Sequence, residues 1–352
     1  MAEEHLPNQV PTINELVRRW METPGSVENP GSTLDYGATR NLLDLLSRKL
    51  YADYQPFPEG PQFLERLARW LDNLRDDEAA QQLLFKFVPW LLFIGRKEME
   101  TMYRAAFTGP ISRWIIEDAK LDIADPDLPE KFGRELNRTW FGSLAGMDIG
   151  SFMRINGIDE QGLRPDFRVL SYFVKDPSLI RSYLSGTERR SQPYLRIVAV
   201  EDVVGTGTQM KTGAKVLQAL TDIKILICPI VAASKGVKVG KQIAAESPHI
   251  AGSPHITFRE YFQIPDRATI PRTPMDGEPH FLAKLRDMIY GTWPRLENGS
   301  YGDGPFGFSS PDSVEPGSLV LTFLNCPNNV PPFVHRSMVA WEPLFPRLVR
   351  ET

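Results

Sequence analysis

Cysteine is scarce in this chain, with only Cys228 and Cys326 among 352 residues. Two thiols in apolar surroundings make no disulfide framework and fit a reducing cytoplasm. Histidine is nearly as rare, with five residues at 5, 249, 255, 280 and 335. None falls in HExxH or Cys/His metal spacing, so no metal site is expected from the protein alone. No G-x-S-x-G elbow is present either, which removes the usual serine-hydrolase signature. A basic excess is also missing. The formal net charge of -4 does not indicate direct nucleic-acid binding, which normally leaves a basic footprint. The most apolar window, LLFKFVPWLLFI at 83–94, includes Lys86 and Pro89 and falls short of the roughly 20 residues of a bilayer span. It reads as a buried helix kinked at Pro89. The N-terminal MAEEHLPNQVPT lacks the basic start and apolar run of a secretory signal. The expected setting is cytoplasmic, without membrane.

What is present suits a soluble globular protein: 42% hydrophobic and 24% charged residues, in a chain long enough for two domains. Residues 1–140 read as helical. Ile13, Leu16, Val17, Trp20 and Met21 recur at helical spacing, and the segments 34–54, 61–75, 77–94 and 97–118 continue that pattern. Pro and Gly mark the breaks, in PGSVENPGS, FPEGP and FTGP, and DIADPDLP reads as a polar connection. Beyond about residue 140, β-branched runs at 196–200, 223–231 and 255–258 alternate with helical stretches at 209–220, 239–246 and 281–290. A further strand is expected at 319–323. Near-continuous apolar strands alternating with helices predict a mostly parallel, doubly wound sheet. The expected fold is therefore α/β, with an all-α domain over 1–140 and an α/β domain over 141–352.

The most informative stretch is RIVAVEDVVGTGTQMKTGAKVLQAL, 196–220. An apolar strand ends in two acids, Glu201 and Asp202, and a Gly/Thr loop leads into a helix. Ligands of open parallel sheets bind at the carboxyl ends of strands, and small residues ahead of a helix offer backbone N–H groups to an anion. GTGTQMKT nearly matches the Walker pattern, with Lys211 and Thr212 in place, but Met210 stands at the second Gly. The same residue breaks the dinucleotide fingerprint. An acid pair just ahead of the loop would also repel a triphosphate. A diol clamp beside a monophosphate cradle fits better, since carboxylates accept hydrogen bonds from vicinal hydroxyls. Ribose 5-phosphate has that shape.

On these residues, VAVEDVVGTGTQ resembles the ribose-phosphate loop of type I phosphoribosyltransferases. More narrowly, with the late motif FLNCPNNVPPFVH and then W-x-P-L-F-P-R at 341–347, the chain is similar to phosphoribosyltransferase-like proteins of bacterial anti-phage loci over about residues 140–352. The resemblance implies the type I phosphoribosyltransferase fold for the sheet domain. It implies that Glu201 and Asp202 face ribose hydroxyls, while Gly205, Thr206, Gly207, Thr208 and Gln209 cradle the 5-phosphate. It further implies phosphoribosyl pyrophosphate or a nucleotide as ligand, Mg²⁺ carried with that ligand, and protein partners from the same defence locus. Asn325, Asn328 and Asn329 become possible ligand contacts, although Asn and Pro together also make turns. ASKGVKVGK at 233–241 reads as a basic turn whose Lys235 or Lys238 could neutralise phosphate. No clear pyrophosphate loop precedes the acid pair, GSLAGMD at 142–148 being the candidate turn. The catalytic residues stay unassigned, and an alternative remains open: a non-catalytic interaction or sensor module with a vestigial site, presenting aromatics such as Trp70 and Trp90.

Overall fold

The computed structural model describes residues 10–22, 32–56, 60–144, 147–159, 184–185, 193–218, 223–250, 252–265, 268–296, 303–308 and 316–348. In chain order the principal elements are α1 (Ile13–Glu22), α2 (Ser32–Lys49), α3 (Phe63–Asp72), α4 (Glu78–Phe87), β1 (Leu92–Ile94), α5 (Arg96–Ala106), α6 (Ser112–Ala119) and α7 (Leu128–Asn137). Then follow β2 (Thr139–Gly142), α8 (Ile149–Ile155), β3 (Arg196–Val204), α9 (Thr208–Gln218), β4 (Lys224–Ala232), α10 (Ser234–Glu246), β5 (Ile256–Phe258) and β6 (Phe262–Gln263). The chain continues through α11 (His280–Leu296), β7 (Val320–Thr322) and α12 (Pro332–His335). Two compact units result, Met1–Arg96 with Arg267–Thr352, and Lys97–Asp266. The division into compact units falls at residues 96 and 267.

The first unit joins the early helices to the last part of the chain. Asp77 caps α4 by accepting from the Ala80 N–H at 2.9 Å, and the helix stops at Phe87. Pro89 lies in a 3₁₀ turn, Val88–Trp90, where its missing N–H breaks no helical bond. The expected kinked helix is thus a helix, a turn and a strand. β1 pairs in parallel with β7, Leu92 opposite Val320 and Ile94 opposite Thr322. A run that is apolar throughout carries no period, so sequence could not tell the two apart.

Aromatic packing closes this unit. Tyr51 lies 5.2 Å from Phe93 and 5.3 Å from Phe345, ring centre to ring centre. The indole N–H groups of Trp70 and Trp341 both donate to the Phe333 carbonyl, at 2.7 and 2.9 Å. Trp70 is fully buried and Trp90 is 42% exposed, so of the two expected surface aromatics only Trp90 reaches solvent, stacked on Phe281.

His335 is buried in the same unit and donates from Nε2 to the Val330 carbonyl at 3.0 Å. Burial, and then the Arg347 charge, push its pKa down to about 3, against about 6.5 for a free side chain. The fold holds the neutral ring, so its contribution is complete above pH ~6.5. It is lost as pH falls toward 3, at up to about 1.4 kcal/mol per unit. Between pH 7 and 5, urea unfolding of the wild-type chain should lose about 2 kcal/mol more than that of His335→Gln. Equal losses would show that the ring does not link folding to pH.

The second unit has a parallel sheet in the order β2-β3-β4-β5, with β6 pairing the end of β4. The fold is α/β, as expected. β3 and β4 are apolar and buried through most of their length because neighbours lie on both sides: Ile197 pairs with Ile225 and Ala199 with Ile227. These residues share a core with Val216 and Leu217 of α9 and Val237 and Ile243 of α10. The FTGP segment, expected as a break, is a π-helical turn, Phe107–Ile111, that joins α5 to α6. Pro110 offers no N–H there, and the Ser112 hydroxyl donates to the Phe107 carbonyl at 2.6 Å. DIADPDLP runs into α7, with Pro129 in its first turn, where proline is favoured. At the beginning of β3, Arg196 forms ion pairs of 2.5 Å with both Asp118 of α6 and Glu135 of α7.

Candidate functional site

The site region forms where β3 ends. The strand runs on to Val204, so Glu201 and Asp202 are successive strand residues and project to opposite faces. The acid pair is divided accordingly. Glu201 is 2% exposed. Its Oε1 accepts from the Ser143 hydroxyl at 2.9 Å and from the Leu144 N–H. Ser143 Oγ accepts in turn from the Met147 N–H at 2.8 Å. Asp202 is half-buried, and its Oδ1 accepts from the Val203 N–H at 2.7 Å.

Glu201 therefore holds the segment that follows β2. Ser143 and Leu144 follow a strand parallel to β3, Phe141 opposite Val198, and belong to the GSLAGMD candidate turn, whose residues 145 and 146 lie outside the described residues. The motif ends at Asp148, whose carboxylate accepts from the N–H and the hydroxyl of Ser151 at the start of α8. This segment is preceded by the short strand β2, the neighbour of β3. The sequence hid it because TWFG is only four residues long; a β-branched residue and two aromatics ahead of small residues were the available signal.

On the other side of Asp202 lies the Gly/Thr loop. Gly207 has φ +79°, and a Cβ there would meet Val239 Cβ at 2.9 Å, so both conformation and space call for glycine. The Thr206 and Thr208 hydroxyls lie 3.1 Å apart. α9 begins at Thr208, and the Lys211 N–H donates to the Gly207 carbonyl at 2.8 Å. The first amides of a helix have no partner within it, which leaves this end suited to an anion. Thr208 and Gln209 are exposed. Met210 is 2% exposed and belongs to the core, so the residue that breaks the Walker and dinucleotide patterns is an interior packing residue.

Lys235 and Lys238 lie on α10, a helix from Ser234 where a turn was expected, and both are exposed. The physical reason is close packing. A Cβ on Gly236 would stand 2.7 Å from Val204 Cγ1 and 2.8 Å from the Gly205 carbonyl. The glycines that suggest a turn in sequence let this helix approach the end of β3. α10 follows β4 at the same sheet edge, so its lysines and the Gly/Thr loop share the carboxyl ends of adjacent strands.

The late asparagines belong to the other unit. Asn325 Oδ1 accepts from the Cys326 and Leu348 N–H groups at 2.9 and 3.2 Å, and its Nδ2 donates to the Leu348 carbonyl at 3.0 Å. Its amide joins two chain segments. The Asn329 carbonyl accepts from the Ser318 N–H at 2.8 Å, and the Asn328 and Asn329 side chains are partly exposed.

Both cysteines are buried, and burial pushes the Cys228 thiol up to about 12, so neither is placed as a nucleophile. Among the described residues no three His, Cys, Asp or Glu side chains converge on a metal position. None of the described helices is long and apolar enough to cross a membrane.

A family model described as PRTase-CE matches residues 67–347. No curated protein and no solved structure matches the chain.

Proposed function

Because the chain belongs to the PRTase-CE family of phosphoribosyltransferase-like proteins, we propose that its second unit binds a phosphorylated ribose compound, phosphoribosyl pyrophosphate or a nucleotide, at the end of β3. The observation that carries this reading is the half-buried Asp202 directly ahead of a Gly/Thr loop that opens the N-terminus of α9. Asp202 takes the ribose hydroxyls, and residues 205–209 take the 5-phosphate through backbone N–H groups and the two threonine hydroxyls. Lys235 and Lys238 supply positive charge at the same edge. Glu201 acts through Ser143 and Leu144, which it holds where β2 ends.

Mg²⁺ fits this donor set as an ion held mainly by ligand oxygens, because no three protein ligands converge among the described residues. Following the resemblance to proteins of anti-phage loci, the chain serves in antiviral defence together with partners encoded beside it.

Isothermal titration with phosphoribosyl pyrophosphate, ribose 5-phosphate and a nucleotide panel tests the binding. Asp202→Ala should weaken the ribose-bearing ligands at least about tenfold while changing stability by about 1 kcal/mol or less. No binding to any of them by the folded wild-type chain removes the proposal.

A second reading, a sensor or interaction module without turnover, is favoured by one feature: Glu201 is bonded within the protein. It predicts that Asp202→Ala keeps biological activity. A double change at 201 and 202 would not separate the readings, since loss of Glu201 also disturbs the fold.

A further inference from the structure

α9 and α10 follow β3 and β4, two adjacent parallel strands, and right-handed crossovers place both helices on one face of the sheet. Their inner residues share a core, Val216 and Leu217 with Val237 and Ile243. What they turn outward is charge of one sign. Lys211 and Lys215 of α9 and Lys235, Lys238 and Lys241 of α10 are all exposed. The only acid on either helix is Glu246, at the last residue of α10. The whole chain has 44 acids against 40 bases, so this surface runs against the average. Other helices offset their surface cations one turn away: Arg48 meets Asp44 at 2.7 Å on α2, Arg69 meets Glu65 at 2.6 Å on α3, and Arg134 meets Glu130 at 2.6 Å on α7. Among the described residues, Lys211, Lys215 and Lys238 have no ion pair, and Lys241 reaches Glu260 at 3.8 Å. Like charges one turn apart repel each other, and a bound polyanion relieves that repulsion.

We propose that this lysine face binds the phosphate backbone of an RNA strand without regard to its sequence. Three observations choose that occupant. The lysines begin beside the Gly/Thr loop and continue for about 10 Å along both helices, at about 1.5 Å per residue, so they line a track for a chain of phosphates. Among the described residues of 208–246 no large apolar side chain is exposed. The face therefore lacks the apolar and aromatic centre of a protein interface and the apolar anchors that seat a helix in a membrane. Between the lysines, the exposed Thr208, Gln209 and Thr212 offer polar groups to 2′-hydroxyls, which DNA does not have. Contacts of this kind hold the strand by its charge and leave the bases unread. The face stands on its own residues, so it does not depend on the ribose-phosphate reading of the loop.

Fluorescence anisotropy of the full chain with a short labelled oligouridine provides the test. With Lys211, Lys215, Lys238 and Lys241 as phosphate contacts, the logarithm of the binding constant should fall against that of the salt concentration with a slope of about -3. Lys215→Gln combined with Lys241→Gln removes two exposed charges distant from the Gly/Thr loop. That variant should keep the wild-type melting temperature and wild-type titration with ribose 5-phosphate. Its slope should shrink to about -1.5, and its affinity for oligouridine should fall at least about tenfold near 0.1 M salt. No binding of oligouridine by the wild-type chain, a slope near zero, or a double variant that binds as tightly as wild type overturns the proposal. Equal or tighter binding of oligodeoxythymidine overturns the assignment to RNA, and capture by phosphatidylserine vesicles without RNA binding overturns the face as an RNA surface. A wild-type chain that binds oligouridine but no ribose phosphate removes the loop reading and upholds this one.

Discussion

Glu201→Ala should destabilise the protein by about 3 kcal/mol, because it strands two buried donors at about 1–3 kcal/mol each. The Ser143 hydroxyl and the Leu144 N–H both use Oε1 of this carboxylate, and Glu201, Ser143 and Leu144 are all under 9% exposed. The effect should reach beyond stability. Released from β3, Ser143 and Leu144 lose their fixed position, so ligand affinity falls as well. Glu201→Gln keeps a carbonyl acceptor of the same shape and should recover part of both losses. Asp202→Ala separates the two effects, with weak binding but a nearly normal unfolding midpoint. Urea unfolding of the three variants provides the comparison. A Glu201→Ala protein as stable as wild type would falsify the anchoring role.

Arg196→Ala should cost still more stability, about 3–5 kcal/mol, the range for removing one member of a buried ion pair. The Arg196 side chain is 5% exposed, and its partners Asp118 and Glu135 are 10% and 17% exposed. Asp118 keeps Lys224 at 2.6 Å, whereas among the described residues Glu135 keeps Arg138 at the longer distance of 3.4 Å, so Glu135 is the more stranded carboxylate. Arg196→Lys should rescue little, since one ammonium cannot serve two carboxylates in the fork geometry of guanidinium. The site lies at the other end of β3, and ligand affinity per folded molecule should therefore stay near wild type. A loss below about 1 kcal/mol in denaturant unfolding would mean that solvent already screens these charges.

The parts of the fold that could be read in the sequence are those where local pattern and tertiary role agree. β3 and β4 stand out as β-branched apolar runs because both are flanked by strands, and the acids and glycines after β3 mark its end. β1 could not be read, since its partner β7 lies more than two hundred residues away and nothing local distinguishes its apolar residues from those of α4. α10 was masked by composition: Gly236 and Gly240 suggest a turn, but each makes room for a packed neighbour, Val204 and Phe258 respectively. At the site, the Gly/Thr loop was legible and the division of labour between the acids was not. Ending the strand at Val200 let both carboxylates face one ligand; carrying it to Val204 sends them to opposite faces.

The pairing of β1 with β7 also bears on how the chain is made. At ribosomal speeds of about 5–20 residues per second, the helices before residue 96 emerge roughly 10–50 seconds before the segment around 320–345 that completes their core. Over that interval Trp70, Phe63 and Phe93 lack the Phe333 and Phe345 side chains that later cover them. Residues 97–266, whose sheet closes within a contiguous stretch, need no such wait. The nascent chain therefore carries a long-lived apolar surface at its beginning, a natural substrate for a holdase chaperone during synthesis.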